Sequence, residues 1–389
     1  MKKKIAILGS TGSIGKSLLK IIEKDKKNFE ILLLSANKNY KSLLKQTKIF
    51  KVKNIIINDP DCLKKFKKIN NNKNIKIFGD FNSFNKISKK KIDYVMISIT
   101  GINGLDPTLK VIRYTKKIAI ANKESIICGW NLIKMKLDRN KTKFLPVDSE
   151  HFSIWYALKE KNNIGVDRIY LTASGGPFLK YKIKNLNKVT PIKALKHPNW
   201  KMGNKISIDS ATLTNKVFEV IEAKNIFNIP YSKLSILIHP KSYVHAVVKF
   251  KNGLTKIIIH DTEMTIPIHY TLYGDNKEYF KSNKLNFKKL NKLDFNQVDQ
   301  KKFPVIKVLK LLPSHNSLFE TVIVSANDLL VELFLKKKIK FIQISQILLK
   351  IINMREFKKL KLYPPKKVSD IINLKQIVNS KINKIVYKI

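Results

Sequence analysis

Acidic residues are scarce. The 389-residue chain carries 28 Asp and Glu against 77 Lys and Arg, a formal charge of +49. Such an excess raises nucleic-acid and membrane binding as functions to be weighed. Arginine is scarcer still: Arg113, Arg139, Arg168 and Arg355 are the only four. Specific nucleic-acid sites favour arginine forks and clustered basic stripes. Lysine here is spread along the whole chain among many Asn and Ile, the mark of A/T-rich coding rather than of a binding stripe. Nonspecific attraction to polyanions at low salt follows; a specific nucleic-acid partner does not. Cysteine is nearly absent. Cys62 and Cys128 stand far apart in no metal or redox spacing, which excludes a disulfide framework and fits a reducing cytoplasm. No run approaches the ~20 uninterrupted apolar residues that span a bilayer. Glycines interrupt the short apolar run of "MKKKIAILGSTGSIGK", unlike a signal peptide. The expectation is a cytoplasmic protein with no membrane segment.

What is present is an alternating α/β pattern. A hydrophobic content of 44% and this length allow two or three domains with sizeable cores. Up to residue 147, β-rich runs (Lys4–Leu8, Phe29–Ser35, Asn54–Ile57, Tyr94–Ser98, Lys117–Ala121, Lys143–Val147) alternate with amphipathic stretches such as Ile14–Lys24. That alternation predicts a doubly wound parallel sheet. Residues 148–273 read as an α+β domain, with strands in "RIYLTAS", "KLSILIHP", "YVHAVVKF" and "LTKIIIHD" around a helix in "ATLTNKVFEVIEAKNIF". Residues 274–300 are polar and read as a linker. Residues 301–389 carry helical periodicity and predict a small helical bundle.

Gly9, Gly12 and Gly15 follow the first strand and open the first helix. Glycines there let the backbone approach a pyrophosphate, and the helix N-terminus offers N–H groups to it. Thr11 and Ser13 add hydroxyls. The competing reading is a tight strand–helix turn without ligand. An NAD site places an acid at the end of the second strand. "ILLLSANKNY" has none; Ser35, Asn37, Lys38 and Asn39 suit a 2′-phosphate, which points to NADP(H). In "AIANKESIICG", Asn122 and Glu124 are placed to touch the nicotinamide half and Lys123 to reach a substrate.

"PVDSEHFSIW" spends two of the rare acids side by side. In an extended segment residues i and i+2 share a face, so Asp148 and Glu150 are expected to converge if the strand end continues. Two carboxylates together need a cation or a proton; the alternative is an exposed strand end with harmless acids. A hard divalent ion, Mg²⁺ or Mn²⁺, fits such oxygen ligands. Glu219, at i+4 from Asn215 on one helical face, is the third carboxylate, with Glu222 its weaker rival. Ser210, Asn215 and Lys216 offer hydroxyl, amide and ammonium donors to an anion. "LTASGGPF" presents Ser174 in a glycine turn suited to phosphate. "KHPNWKMGNK" offers His197 and Trp200 on a segment broken by Pro198 and Gly203, either as local packing or as a mobile lid. His151 reads as a structural histidine.

Taken in order, "GSTGSIG", "ANKES", "PVDSEH", "SGGPF", "HPNW-MG-KISIDSAT", "NK--E--EA" and "IHP-S--H" resemble the 1-deoxy-D-xylulose 5-phosphate reductoisomerase family over the full length. The resemblance implies a Rossmann-like NADPH-binding domain, an α+β catalytic domain with a flap, a C-terminal helical domain and a homodimer. It implies rearrangement and NADPH-dependent reduction of 1-deoxy-D-xylulose 5-phosphate to 2-C-methyl-D-erythritol 4-phosphate, the committed step of non-mevalonate isoprenoid synthesis. Asp148, Glu150 and Glu219 would then ligate the metal, and Ser149 and Lys123 would contact the substrate. Its phosphate would rest on Ser174, Ser210, Asn215 and Lys216 with His197 close by. Trp200 and Met202 would form the flap. Thr11, Gly12, Ser13, Ile14, Asn37, Lys38, Asn39, Asn122, Glu124 and Gly203 would contact NADPH. The chain departs from the family at Asn37 (usually Gly), at Val217-Phe218 (usually Gly-Leu), at Asn204 (commonly basic) and around Met264. The rival functions are an NADP-dependent dehydrogenase of another phosphorylated substrate, and a polyanion-binding protein.

Overall fold

The computed structural model describes residues 2–159, 165–200, 202–274 and 283–387. By contacts the chain divides into two compact units. The first comprises Met1–Ser125, Leu132–Asp148 and Met264–Phe280; the second comprises Ile126–Asn131, Ser149–Glu263 and Lys281–Ile389.

The first unit is built on seven parallel strands: β1 (Lys3–Leu8), β2 (Phe29–Ala36), β3 (Asn54–Ile57), β4 (Lys76–Phe78), β5 (Ile92–Ile97), β6 (Thr115–Ile120) and β7 (Lys143–Pro146). Their order is β4-β3-β2-β1-β5-β6-β7. The sheet is doubly wound, and its order reverses between β1 and β5, where such folds bind ligands. Strands buried on both faces read as unbroken apolar runs, and Ile5, Ala6, Ile7 and Leu8 are fully buried. The one strand missing from the sequence expectation is β4. It has three residues at the sheet edge, with Lys76 exposed and the other two half-buried, too short to show a pattern. The Thr265–Tyr273 helix packs in this unit although it comes late in the chain. The Tyr94 hydroxyl and Thr271 Oγ1 are 2.9 Å apart, the Tyr273 hydroxyl donates to Asp25 at 2.8 Å, and the Tyr273 ring meets Phe29 edge-on.

The second unit holds a mixed sheet of β8 (Val166–Ala173), β9 (Leu234–Ile238), β10 (Val244–Phe250) and β11 (Thr255–Ile259), in the order β11-β10-β8-β9. β8 and β9 run parallel; β10 is antiparallel to both β8 and β11. Three helices, Leu318–Leu335, Phe341–Ile352 and Val368–Val386, form the expected C-terminal bundle. The preceding Pro304–Leu311 segment is 3₁₀; Val305 and Val308, three apart and both buried, match the three-residue turn of that helix. Of the expected linker, residues 275–282 lie outside the described residues.

Two local expectations are corrected. The chain does not continue extended through Asp148 to Glu150: β7 ends at Pro146, and Ser149–Leu158 is a helix with Glu150 in its first turn. The single helix expected over 211–227 is two, Asn204–Thr212 and Thr214–Phe227, separated by Leu213 at φ +62°. A left-handed leucine costs about 1–2 kcal/mol, and burial of its side chain offsets this. No described helix is long and apolar enough to cross a membrane.

Candidate active site

In the first unit, Gly9 lies at φ +88°, and a Cβ there would come within 2.7 Å of the Ser98 backbone. A Cβ on Gly15 would meet Ser10 Cα at 2.6 Å. Both positions therefore admit only glycine. Gly12 is the N-cap of the Ser13–Lys24 helix and supplies no capping side chain, so the first-turn N–H groups of that helix face outward for an anion. The loop is braced from behind. Ser35 Oγ accepts from Gly9 N at 3.0 Å, Ser10 Oγ donates to Gln46 Oε1 at 2.7 Å, and Gln46 Nε2 donates to the Ser10 carbonyl at 3.0 Å. This loop and helix terminus fit a dinucleotide pyrophosphate.

Asn37 and Lys38 are exposed beyond β2. Asn37 is not among the described residues with positive φ, so asparagine in place of the family's glycine brings no backbone strain there. Asn39 spends its side-chain oxygen on the cap of the Tyr40–Ile49 helix, accepting from Ser42 N at 3.2 Å. Asn122 is likewise committed. Its oxygen caps the Lys123–Asn140 helix through Ser125 N at 2.6 Å, and its amide donates to the Ile99 and Gly101 carbonyls. Glu124 is buried. Lys123 Nζ is paired with the Asp148 carboxylate, the last residue of this unit.

In the second unit the acids converge on one ammonium. Lys216 Nζ lies 2.7 Å from Glu150 Oε1 and also bonds Glu219 Oε2. Asn215 donates to the other Glu219 oxygen, as the i, i+4 spacing predicts. Ser149 Oγ donates to Glu150 Oε2. Glu150 and Glu219 offer oxygens within 4.8 Å of one another, and Lys216 and Glu219 are buried. Burial pushes the Glu150 carboxyl up, but the charge of Lys216 and the hydrogen bonds from Lys216 and Ser149 outweigh it and hold it well below the usual carboxylate range. Burial works against the Lys216 charge in the same way, and Glu150 and Glu219 overcome it and raise its pKa. Two carboxylates, Glu219 buried and Glu150 half-buried, are hard oxygen donors with no thiolate among them and fit a divalent cation such as Mg²⁺ or Mn²⁺. His151 is structural, as expected: its Nε2 donates to the Glu219 carbonyl at 2.8 Å.

A second cluster gathers residues that are distant in sequence. His197 Nε2 lies 3.1 Å from both Ser174 Oγ and Ser210 Oγ. His197 Nδ1 accepts from the backbone N–H groups of Asn199 and Trp200 at 3.1 and 3.0 Å. Ser174 Oγ also accepts from Gly176 N at 3.1 Å. Ser174, His197 and Ser210 thus form one donor cluster. Asn215 and Lys216, expected beside Ser210, turn their side chains to Glu150 and Glu219, whose charges draw the available donors. Sequence reasoning missed Asn199, whose amide donates to the Pro240 carbonyl and to Ser242 Oγ at 2.7 and 2.8 Å and so anchors the base of the Trp200 segment. It also gave no role to His245, which Trp200 meets edge-on at 6.1 Å and which stacks on His260 at 3.7 Å. The signal for Asn199 lay in "HPNW", where a polar residue between proline and tryptophan needs partners; nothing in the sequence pairs His245 with His260.

Three family models match the chain: 1-deoxy-D-xylulose 5-phosphate reductoisomerase over residues 5–129, the C-terminal domain of that enzyme over 144–227, and a further DXP reductoisomerase C-terminal domain over 260–381. The chain is 56% identical over 383 residues to a 1-deoxy-D-xylulose 5-phosphate reductoisomerase of Pelagibacter ubique, covering 98% of this chain and 99% of that one. It is 40% identical to one of Clostridium tetani, covering 89% and 91%. Among solved structures, the Zymomonas mobilis enzyme in complex with NADPH matches over 100% of both chains, with a TM-score of 0.88 and 32% identity. A DOX-P reductoisomerase in complex with NADPH, fosmidomycin and magnesium matches over 99% and 98%, with a TM-score of 0.89 and 29% identity.

Proposed function

The chain belongs to the 1-deoxy-D-xylulose 5-phosphate reductoisomerase family, and from that premise we infer that it converts 1-deoxy-D-xylulose 5-phosphate to 2-C-methyl-D-erythritol 4-phosphate with NADPH and a divalent cation. The observation that carries this reading is the pairing of half-buried Glu150 with buried Glu219, with oxygens within 4.8 Å of one another. An ordinary dehydrogenase has no need of it. Asp148 is our third ligand: it is tied to Glu150 through Ser149, and two residues of chain span at most about 7 Å. When bound, the cation supplies Lewis-acid polarisation of the substrate's ketone and hydroxyl oxygens, and NADPH supplies the hydride that reduces the rearranged aldehyde.

The chain's own residues bind and orient. Ser174 and Ser210 donate hydroxyls to the substrate phosphate, with the neutral Nε2–H of His197 between them. Asn215 and Lys216 complete the set of phosphate donors, and Lys216 also balances the charge of Glu150 and Glu219. Ser149 and Lys123 contact the substrate's hydroxyl-bearing backbone. Trp200 covers it from the Asn199-anchored segment, which excludes water. For NADPH we assign Thr11, Gly12, Ser13 and Ile14 to the pyrophosphate, Asn37, Lys38 and Asn39 to the 2′-phosphate, and Asn122, Glu124 and Gly203 to the nicotinamide side. A homodimer in the cytoplasm completes the reading, resting on family membership and on free Cys62 and Cys128.

The test is the loss of NADPH absorbance with 1-deoxy-D-xylulose 5-phosphate, with and without Mg²⁺ or Mn²⁺. Turnover should require the metal, and Asp148→Asn should lower it by about two orders of magnitude. Metal-independent turnover, or activity only with another phosphorylated substrate, would favour a plain NADP-dependent dehydrogenase.

A further inference from the structure

Ser210 follows directly after a carboxylate to which the proposed reaction gives no task. Asp209 is buried, and both its oxygens are engaged. Asn327 Nδ2 donates to Oδ1 at 2.7 Å, and Lys205 Nζ lies 3.0 Å from Oδ2. Asn327 is itself fully buried and stands on the Leu318–Leu335 helix. Lys205 Nζ also lies 3.0 Å from Asp328 Oδ1, on the same helix. Two adjacent side chains of the C-terminal bundle therefore grip the Asn204–Thr212 helix. Elsewhere that helix meets the glycine turn that carries Ser174: a Cβ on Gly176 would come within 2.9 Å of the Ser210 carbonyl.

This attachment is directional in a way that apolar packing is not. A buried carboxylate that loses a partner keeps an unpaired charge, so its bonds hold their geometry. Asp209 and Ser210 are consecutive in one helix. Holding the first side chain sets the rotation of the helix about its axis and with it the direction of the second. Sub-ångström placement of a binding group is what affinity depends on.

We propose that Asn327 and Asp328 are positioning residues of the substrate-phosphate site: through Asp209 and Lys205 they set where Ser210 Oγ meets His197. The inference rests on the reading of Ser174, His197 and Ser210 as the phosphate donors.

The test compares Asn327→Leu, Asn327→Asp, and the exchanged pair Asp209→Asn with Asn327→Asp, which restores one amide and one carboxylate. Inorganic phosphate affinity is read by calorimetry, alongside KM, kcat and NADPH affinity. Each single variant should weaken phosphate binding and raise KM in parallel by about tenfold, with kcat and NADPH affinity within about twofold. The exchanged pair should return to within about threefold of the starting protein. Folded single variants with unchanged phosphate affinity, whatever their melting temperature, overturn the proposal; so does an exchanged pair as weak as Asn327→Asp. Should the buried variants fail to fold, Asp328→Asn at the helix rim decides: about threefold weaker phosphate binding is expected, and no change overturns it. The underlying reading is separated by His197→Gln. If that substitution leaves phosphate binding intact, the phosphate site is misplaced and this inference falls with it. If it abolishes binding in a protein without turnover, the reductoisomerase reading fails and the positioning test still stands.

Discussion

Four contacts converge on the imidazole of His197, and together they define its state. Nδ1 accepts two backbone N–H groups, so a proton there would cost both bonds. The ring proton therefore sits on Nε2, aimed at Ser174 and Ser210. Burial pushes the pKa down to about 4. An unfolded histidine titrates near 6.5, so between about pH 6.5 and 4 the unfolded chain binds a proton that the folded chain refuses. Stability then rises with pH across that window and is lost as pH falls through it. Urea denaturation at about pH 7 and pH 4.5 should show this loss, and His197→Gln should lose roughly 1 kcal/mol less, a figure discounted for partial solvent exposure. Equal losses in the two proteins would show that other groups carry the acid sensitivity.

Among the helices, Leu318–Leu335 carries both the proposed grip on Asp209 and a titratable cap. Ser317 Oγ accepts from Phe319 N at 3.1 Å, and Glu320 Oε2 accepts from Ser317 N at 3.1 Å and from the Ser317 hydroxyl. Such a box satisfies N–H groups that a helix start leaves bare. Glu320 is fully buried, and its Oε1 has no hydrogen-bond partner. Burial raises its pKa to about 7. Here the sign is opposite to that of His197: between about pH 4.5 and 7 the folded chain holds a proton that the unfolded chain has lost, so this contribution to stability falls as pH rises. Glu320→Gln keeps an acceptor for Ser317 N and carries no charge. It should therefore gain about 1 kcal/mol at pH 8 relative to its effect at pH 5, or about 2–4 °C in melting temperature. A difference from the unaltered protein that does not vary with pH would show that Glu320 is not charged and buried at pH 8.

Across the whole molecule, the excess of 77 basic over 28 acidic side chains makes self-repulsion the dominant long-range electrostatic effect. Exposed pairs such as Lys134–Asp138 and Lys336–Glu332 contribute at most about 1 kcal/mol each and occupy only a few of the lysines. Raising NaCl from about 0.1 to 1 M shortens the screening length from about 10 to 3 Å. Screening should help the folded state more than it weakens these pairs, so the melting temperature should rise with salt by several degrees. A fall would mean that the ion pairs outweigh the repulsion.

Patterns of period and of turn chemistry were legible in the amino-acid sequence because their causes are local. Strands covered on both faces read as apolar runs, so β1, β2, β3, β5, β6 and β7 could be placed to within about two residues. The glycines at 9 and 15 could be read because only glycine fits so close a backbone approach. The i, i+4 relation of Asn215 and Glu219 could be read because a helix repeats locally. What tertiary structure alone decided is where distant segments meet. The turn of the chain from β7 straight into a helix at Ser149 overrode the extended reading of Asp148 and Glu150. The left-handed Leu213 divided one expected helix into two. Lys216 was drawn to the acids rather than to Ser210, since the strength of a buried pair depends on burial and distance that no spacing in the chain encodes. Asn327 found Asp209 across 118 residues, a contact set by the packing of two helices and by nothing local to either.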